Sequence, residues 1–435
     1  MADKSTQKQP KQQESPELGS QHNDVVTLVL TADNHLGFST FGQQPQRREE
    51  RQQRLRRAFQ QATDFAIVQG VDLFVQGGDL FDASNPDEQD RSFVAERLAQ
   101  LKQAGVRTIA LGGVHDTPLT EATPAPQMSF ARLGALHYCS PIPKQGEPLP
   151  AEIIDVHGVR VGIAGIGVLA GQVGDPLANL RVSVNIEGAA VPILLLHAPI
   201  EGLVTGSSLL DTRACVSQES ISNLSMFKYI LAGYHHGHTR QRINQTELVV
   251  AGATQHVDFT SPKQEPGFVF MGIAADGIRW CNHISSLDAL QCKRLIIQTS
   301  ELWPEGSDGV DGDAPALSRT ELILERLRPL CSEDTMLQVR LEGQISRRQY
   351  HELDLNQIRR YGEEHCFTLA IDDSLLTLLP EAEVYPVEGT ERLSLFSEMR
   401  TLTDEWIAKT TDEQEKKALQ YTKEELLQAM DEVKR

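Results

Sequence analysis

Five polar segments stand directly after apolar, β-branched runs: Asp33-Asn34-His35, Gly78-Asp79, Val114-His115-Asp116, His197 and Gly233-Tyr234-His235-His236-Gly237-His238. Carboxylates and imidazoles placed where strands stop can converge on one pocket, and this donor set suits divalent manganese, iron or zinc. Asp-x-His offers two ligands to a single ion. Asp79 follows two glycines and is free to turn its carboxylate between two ions. Two ions roughly 4 Å apart can clamp a phosphodiester and lower the pKa of water. His115 is a candidate to hydrogen-bond the phosphate or to protonate the leaving oxygen, with Asp116 fixing its orientation. Each segment alone has a duller explanation: Asp-x-His and Gly-Asp often serve turns, and a His-rich run can be an exposed loop. Their joint occurrence at strand ends is what points to a hydrolytic cup.

The elements that must position these residues are legible as short apolar runs. Val25–Leu30, Val71–Val75, Val106–Leu111, Val191–Leu196, Tyr229–Ala232, Leu248–Ala251 and Phe268–Ile273 read as strands, and Ile153–Ile166 reads as two strands about a His157-Gly158 turn. Helical patterns intervene through Phe65 and Val68 and over 88–104, where Phe93, Val94, Leu98 and Leu101 share a face. This alternation predicts an α/β fold, a sheet with helices on its faces, and sites outside the strand carboxyl ends.

The 435 residues suffice for two or three domains. Residues 1–23 are rich in Gln, Lys, Ser and Pro and read as a disordered tail. A core is expected over 24–285, and a small α/β module over 286–390 with a Gly/Asp/Pro linker at 304–316. Two helices close the chain over 391–435, carrying apolar stripes that include Phe396, Trp406 and Leu426. Arg47, Arg48, Arg51, Arg54, Arg56 and Arg57 read either as a solvated helix face or as a track for DNA phosphates, with the solvated face preferred. The net charge of −19 argues against a wholly basic, duplex-binding surface. Six scattered cysteines without a Cys-x-x-Cys pair, no apolar signal core and no membrane-length apolar run suggest a cytoplasmic protein. No Gly-x-x-x-x-Gly-Lys-Ser/Thr loop is present, so ATP would be handled by another chain.

The ordered segments Asp33-Asn34-His35-Leu36-Gly37, Gly78-Asp79-Leu80-Phe81-Asp82, Gly113-Val114-His115-Asp116, Leu196-His197-Ala198 and Gly233-Tyr234-His235-His236 resemble the motifs of calcineurin-like metallophosphoesterases. Within that superfamily they are similar to SbcD, the nuclease subunit of the SbcC–SbcD type complex; Gly252-Ala253-Thr254-Gln255 and 263–270 resemble the segment that follows its metal core. The resemblance implies a four-layer sandwich, two manganese ions and cleavage of DNA phosphodiesters in DNA repair or end processing. It further implies partnership with an SMC-like ATPase docked by the C-terminal helices, and a homodimer. Position by position, Asp33, His35, Asp79 and His236 would hold the first ion, Asp79 would bridge, His197 would serve the second, and His115 would face the phosphate.

Two positions depart from the family pattern. Its third motif carries an Asn ligand where this chain has Val114, and its fifth carries a His where this chain has Tyr234. His236-Gly237-His238 offers the same His-x-His spacing two residues on, and His235 is a further candidate. A catalytically weakened scaffold subunit and a small-substrate phosphodiesterase are the rival readings.

Overall fold

The computed structural model describes residues 24–39, 45–120, 123–142, 147–203, 213–304 and 317–379, with isolated positions at 407, 416 and 420. The tail 1–23, most of the expected linker and, those three positions apart, the C-terminal helices with Trp406 lie outside the described residues. The chain divides into two compact units, Met1–Leu378 and Leu379–Arg435.

The first unit is an α/β sandwich built on two six-stranded sheets. In one, Gly277–Ser285, Gly267–Ala274, Val26–Thr31, Leu73–Gln76, Arg107–Leu111 and His137–Cys139 lie side by side in that order. In the other the order is Thr239–Ile243, Thr246–Val250, Tyr229–Gly233, Val191–His197, Val159–Gly167 and Ala151–Val156. The central strands are unbroken apolar runs because both of their faces are covered. Val26, Leu28 and Leu30 pack between the sheets with Ile193 and Leu195, whereas Val29 and Phe74 point outward onto Leu55, Phe59 and Leu98 of the flanking helices. Leu194 and Leu196, one residue out of phase with Ile193 and Leu195, enter the layer beyond the second sheet with Ile221 and Phe227. The period-two alternation of a strand thus feeds three apolar layers from a few short runs.

Beyond the sandwich, Gln291–Gln298, Thr335–Ile345 and Thr368–Leu378 form a parallel three-stranded sheet. Helices Arg319–Leu327, which starts on a Ser318/Glu321 capping box, and Leu355–His365 cover it through Ile323, Leu324, Leu327 and Ile358.

The arginine-rich stretch is only in part a solvated face: Arg48 and Arg57 are exposed, whereas Arg51 and Arg54 are buried. It belongs to a single helix, Pro45–Gln69, whose basic side bolts this small module to the sandwich. Arg51 is buried, donates to the His256 carbonyl and to Met336 Sδ, and lies over the Phe38 ring. Arg54 donates to Glu50, Asp288 and Asp334 and sits over Phe367, while Arg57 pairs with Asp288. Arg56 turns the other way and pairs with buried Asp90.

Candidate metal centre

The cup forms where parallel strands of both sheets end. Past the strand Val26–Thr31 the backbone stays paired with its neighbour: Asp33 N–H donates to Gly78 O at 3.0 Å and Asn34 N–H to Asp79 O at 2.9 Å. That pairing sets Asp33 and Asp79 side by side. In the second sheet Gly233 pairs with His197, which brings the Tyr234–His238 loop beside that imidazole. The sheets are then tied across their ends, His197 Nδ1 to Gly77 O at 2.9 Å and Tyr234 N–H to Asp33 Oδ1 at 3.0 Å. A Cβ at Gly78, which has a φ of 105°, would run into the His197 ring. Among the described residues, four of the six non-glycine residues with positive φ are Asp33, His35, Asp79 and Tyr234. Such backbone strain concentrates where surrounding structure holds functional side chains in place.

Three overlapping groups of donors result: Asp33, His35 and His236; His35, Asp79 and His115; and Asp33, Asp79 and His197, each with its donor atoms within 4.8 Å of one another. His35, Asp33, Asp79 and His197 are buried, while the His115 side chain is 40% exposed and reaches the mouth. The His35 ring meets His115 and His236 edge-on at 4.8 and 5.2 Å between centroids. Asp33 Oδ2 and His35 Nε2 are buried without a hydrogen bond, and His197 Nε2 lies 3.1 Å from Asp79 Oδ2. Native interiors rarely leave such atoms unsatisfied unless something else binds there.

Charge in the cup is strongly coupled. Burial would raise Asp79, but His197, then His35 and His115, hold it well below the usual carboxylate range. For Asp33 burial wins and its pKa goes up, against the pull of His197 and His236. Burial disfavours charge on His197 and His236 as well. Asp79 and Asp33 nevertheless lift His197 to about 9, and Asp258, followed by Asp33 and Asp79, lifts His236 to about 9. Carboxylates at this density call for positive charge between them, from protons or from a cation.

Not every residue picked out from the sequence lies in the cup. His238 sits apart: its Nδ1 faces the Val250 carbonyl at 2.7 Å and its ring stacks on His283. His236 is the imidazole in the donor groups, so the two-residue shift is not the arrangement found. His235 is turned away, its Nε2 accepting from Ile200 N–H at 3.0 Å, and burial, aided by His236 and His197, holds it near 4 and hence neutral. Asp116 does not orient His115. It is fully buried, accepts from the N–H groups of Leu80, Phe81 and Gly113 and from Gln127, and fixes the loop that carries His115. The carboxylate that does face His115 is Asp82, 3.8 Å from its Nδ1, and the same oxygen holds His35 Nδ1 at 3.0 Å. Asp258 likewise stands 2.7 Å from His236 Nδ1. These two orienting carboxylates were missed. Asp82, three residues beyond Asp79, was the more discoverable; Asp258 follows a strand end by several residues and carries no local signal.

The donors fit one divalent ion on the His35 side: Asp33, His35 and His236 with Asp79 beside them, their imidazoles oriented by Asp82 and Asp258 as metal-binding histidines usually are. On the other side His197 has the same preparation, with Nδ1 committed to Gly77 O and Nε2 turned inward. The surroundings differ. Val114 packs among the apolar residues flanking His197, Leu196 and Ala198, and brings no donor. The Tyr234 ring stands edge-on to His197 at 5.7 Å.

A strand-end cup of aspartates and imidazoles with buried inward atoms is suited to hold a divalent ion. Residues 26–239 match the family model described as calcineurin-like phosphoesterase. Among characterised proteins the chain is similar to DNA double-strand break repair protein Mre11 of Saccharolobus solfataricus, 25% identical over 252 residues, which cover 58% of this chain and 59% of that one. The Mre11 proteins of Sulfurisphaera tokodaii (27% identical, 30% and 32% covered) and Methanosarcina mazei (32% identical, 21% and 14% covered) also match. The chain therefore spans at most about six-tenths of the length of these curated relatives. Among solved structures, a dimetal phosphatase from Danio rerio aligns at 12% identity and a TM-score of 0.36, over 60% of this chain and 99% of that one. No helix among the described residues is long and apolar enough to cross a membrane.

Proposed function

We propose that the chain is a manganese-dependent DNA nuclease subunit that hydrolyses phosphodiester bonds in DNA repair or end processing, in the cytoplasm and as a homodimer with an SMC-like ATPase. The convergence of Asp33, His35, Asp79, His197 and His236, with buried atoms left for a cation, carries the hydrolytic part of this reading. The Mre11 relatives favour DNA as the substrate, and the segments Leu36-Gly37 and Leu80-Phe81-Asp82 favour the SbcD type within the family. A bound divalent ion would neutralise the phosphoryl oxygens and lower the pKa of water. The chain's own residues do the rest. Asp82 holds the ring of His35 and faces that of His115, and His115, the exposed imidazole at the mouth, hands a proton to the departing ester oxygen as a water oxygen bonds to phosphorus and the P–O ester bond breaks. Asp116 and Gln127 keep the His115 loop in register with Asp79, to which the His115 N–H donates at 2.8 Å.

The test is cleavage of linear and hairpin DNA in manganese, set against hydrolysis of bis-p-nitrophenyl phosphate. Cleavage lost in Asp79→Asn supports the reading. Turnover of the small ester alone would favour a small-substrate phosphodiesterase. Val114 and Tyr234 favour a third outcome, a weakened scaffold subunit, which would show DNA binding with no metal-dependent hydrolysis of either substrate.

A further inference from the structure

The two halves of the cup are unequal, and we infer that the centre is a one-ion site: a divalent ion binds among Asp33, His35, His236 and Asp79, and the His197 side does not retain a second ion. This rests on the metallophosphoesterase reading and sets its stoichiometry. On the His35 side the donor atoms of Asp33, His35 and His236 form one group, and both imidazoles have a carboxylate behind them. Among the described residues, the group on the His197 side is Asp33, Asp79 and His197, and its two carboxylates are already shared with the first side. An ion there would own a single donor, His197 Nε2. Divalent manganese or zinc held by protein usually takes at least about three protein ligands.

The gap is filled rather than open. His115 N–H donates to Asp79 Oδ1, which places the Gly113-Val114-His115 backbone against the would-be bridging carboxylate. The Val114 side chain packs against the apolar cluster that includes Leu194, Leu196 and Ala198 and carries no donor atom. Tyr234 flanks His197 from the opposite loop and lines a cleft of about 220 Å³ with His235, His236, Thr260, Ser261 and Gln264. The second position therefore keeps one imidazole of its own.

The experiment titrates the metal-free full-length chain with manganese chloride, counting bound ions by calorimetry and elemental analysis and reading the electron paramagnetic resonance spectrum. The inference expects one ion per chain and the signal of an isolated ion. His236→Ala loses that ion, whereas His197→Ala keeps it. The double variant Val114→Asn/Tyr234→His should bind two ions and show an exchange-coupled pair. Two ions in the parent protein would overturn the inference, as would a folded double variant that still binds one. If the double variant does not fold, the parent stoichiometry and the contrast between His236→Ala and His197→Ala decide alone. A parent that binds no ion at all would instead overturn the metal-centre reading on which this rests.

Discussion

Two concentrations of charge lie within the same unit and are built on opposite terms. At the strand ends Asp33 Oδ2 and His35 Nε2 are buried with no hydrogen bond. At the junction between sandwich and small module Arg54 spends its guanidinium on Glu50, Asp288 and Asp334 and stacks over Phe367. Burying a polar atom costs free energy that only a partner recovers. The junction has its partners within the chain and is structure. The cup lacks them and is built for something to arrive.

That contrast can be broken most severely by chemistry. Asp79 faces both halves of the cup, so Asp79→Asn should cut metal-dependent phosphodiester hydrolysis roughly thousandfold, about 4 kcal/mol of transition-state stabilisation. Single-turnover rates in manganese check it. A variant within a few fold of the parent would mean that the cup is not where hydrolysis occurs. Next in size, the cup should gain stability from its cation: manganese at about a hundred times its dissociation constant should add about 2.7 kcal/mol to unfolding. Urea titrations with metal or with a chelator measure this, and His236→Ala should lose the gain.

The junction should behave in the opposite way. Arg54→Ala removes a guanidinium whose carboxylate partners are themselves partly exposed and can rehydrate. The expected loss is about 2 kcal/mol of unfolding free energy, the same with metal or chelator. A loss seen only with metal present would join the two clusters into one functional unit and undo the distinction.

The same contrast marks what could be read in the sequence. Strand positions were legible because a strand covered on both faces must be apolar throughout, and the residues where such runs stop include those the structure gathers at the cup. Arg51 and Arg54 departed from the solvated-face reading because periodicity reports a helix face and not what covers it; the carbonyl that Arg51 reaches belongs to His256, more than two hundred residues away. His238 misled for a local reason. It has the spacing of a ligand pair, but the chain enters the strand Thr239–Ile243 directly after it and the imidazole is spent on Val250 O. Strand Gln291–Gln298 escaped notice because it is an edge strand with only Cys292 and Ile297 buried, and its apolar run is only the three residues Leu295-Ile296-Ile297.

The smallest effect comes from the His238–His283 pair, a third arrangement in which a partly buried imidazole has neither an ion nor a carboxylate bonded to it. The rings stack at 4.7 Å with 19° between planes, and His283 Nε2 is buried without a hydrogen bond. Burial, reinforced by His238 and opposed by Glu265, holds His283 down at about 4, below the ordinary 6.5 of the unfolded chain. Between those values the unfolded chain binds the extra proton and the folded one does not. The contribution of a neutral His283 is therefore complete above about 6.5 and is lost as the pH falls toward about 4. Unfolding midpoints of the parent should fall across that window, and His283→Phe, which keeps a flat ring on His238 but cannot titrate, should fall less. Parallel curves for the two proteins would show that His283 has a partner in solution, and that an orphaned imidazole outside the cup signals nothing about its chemistry.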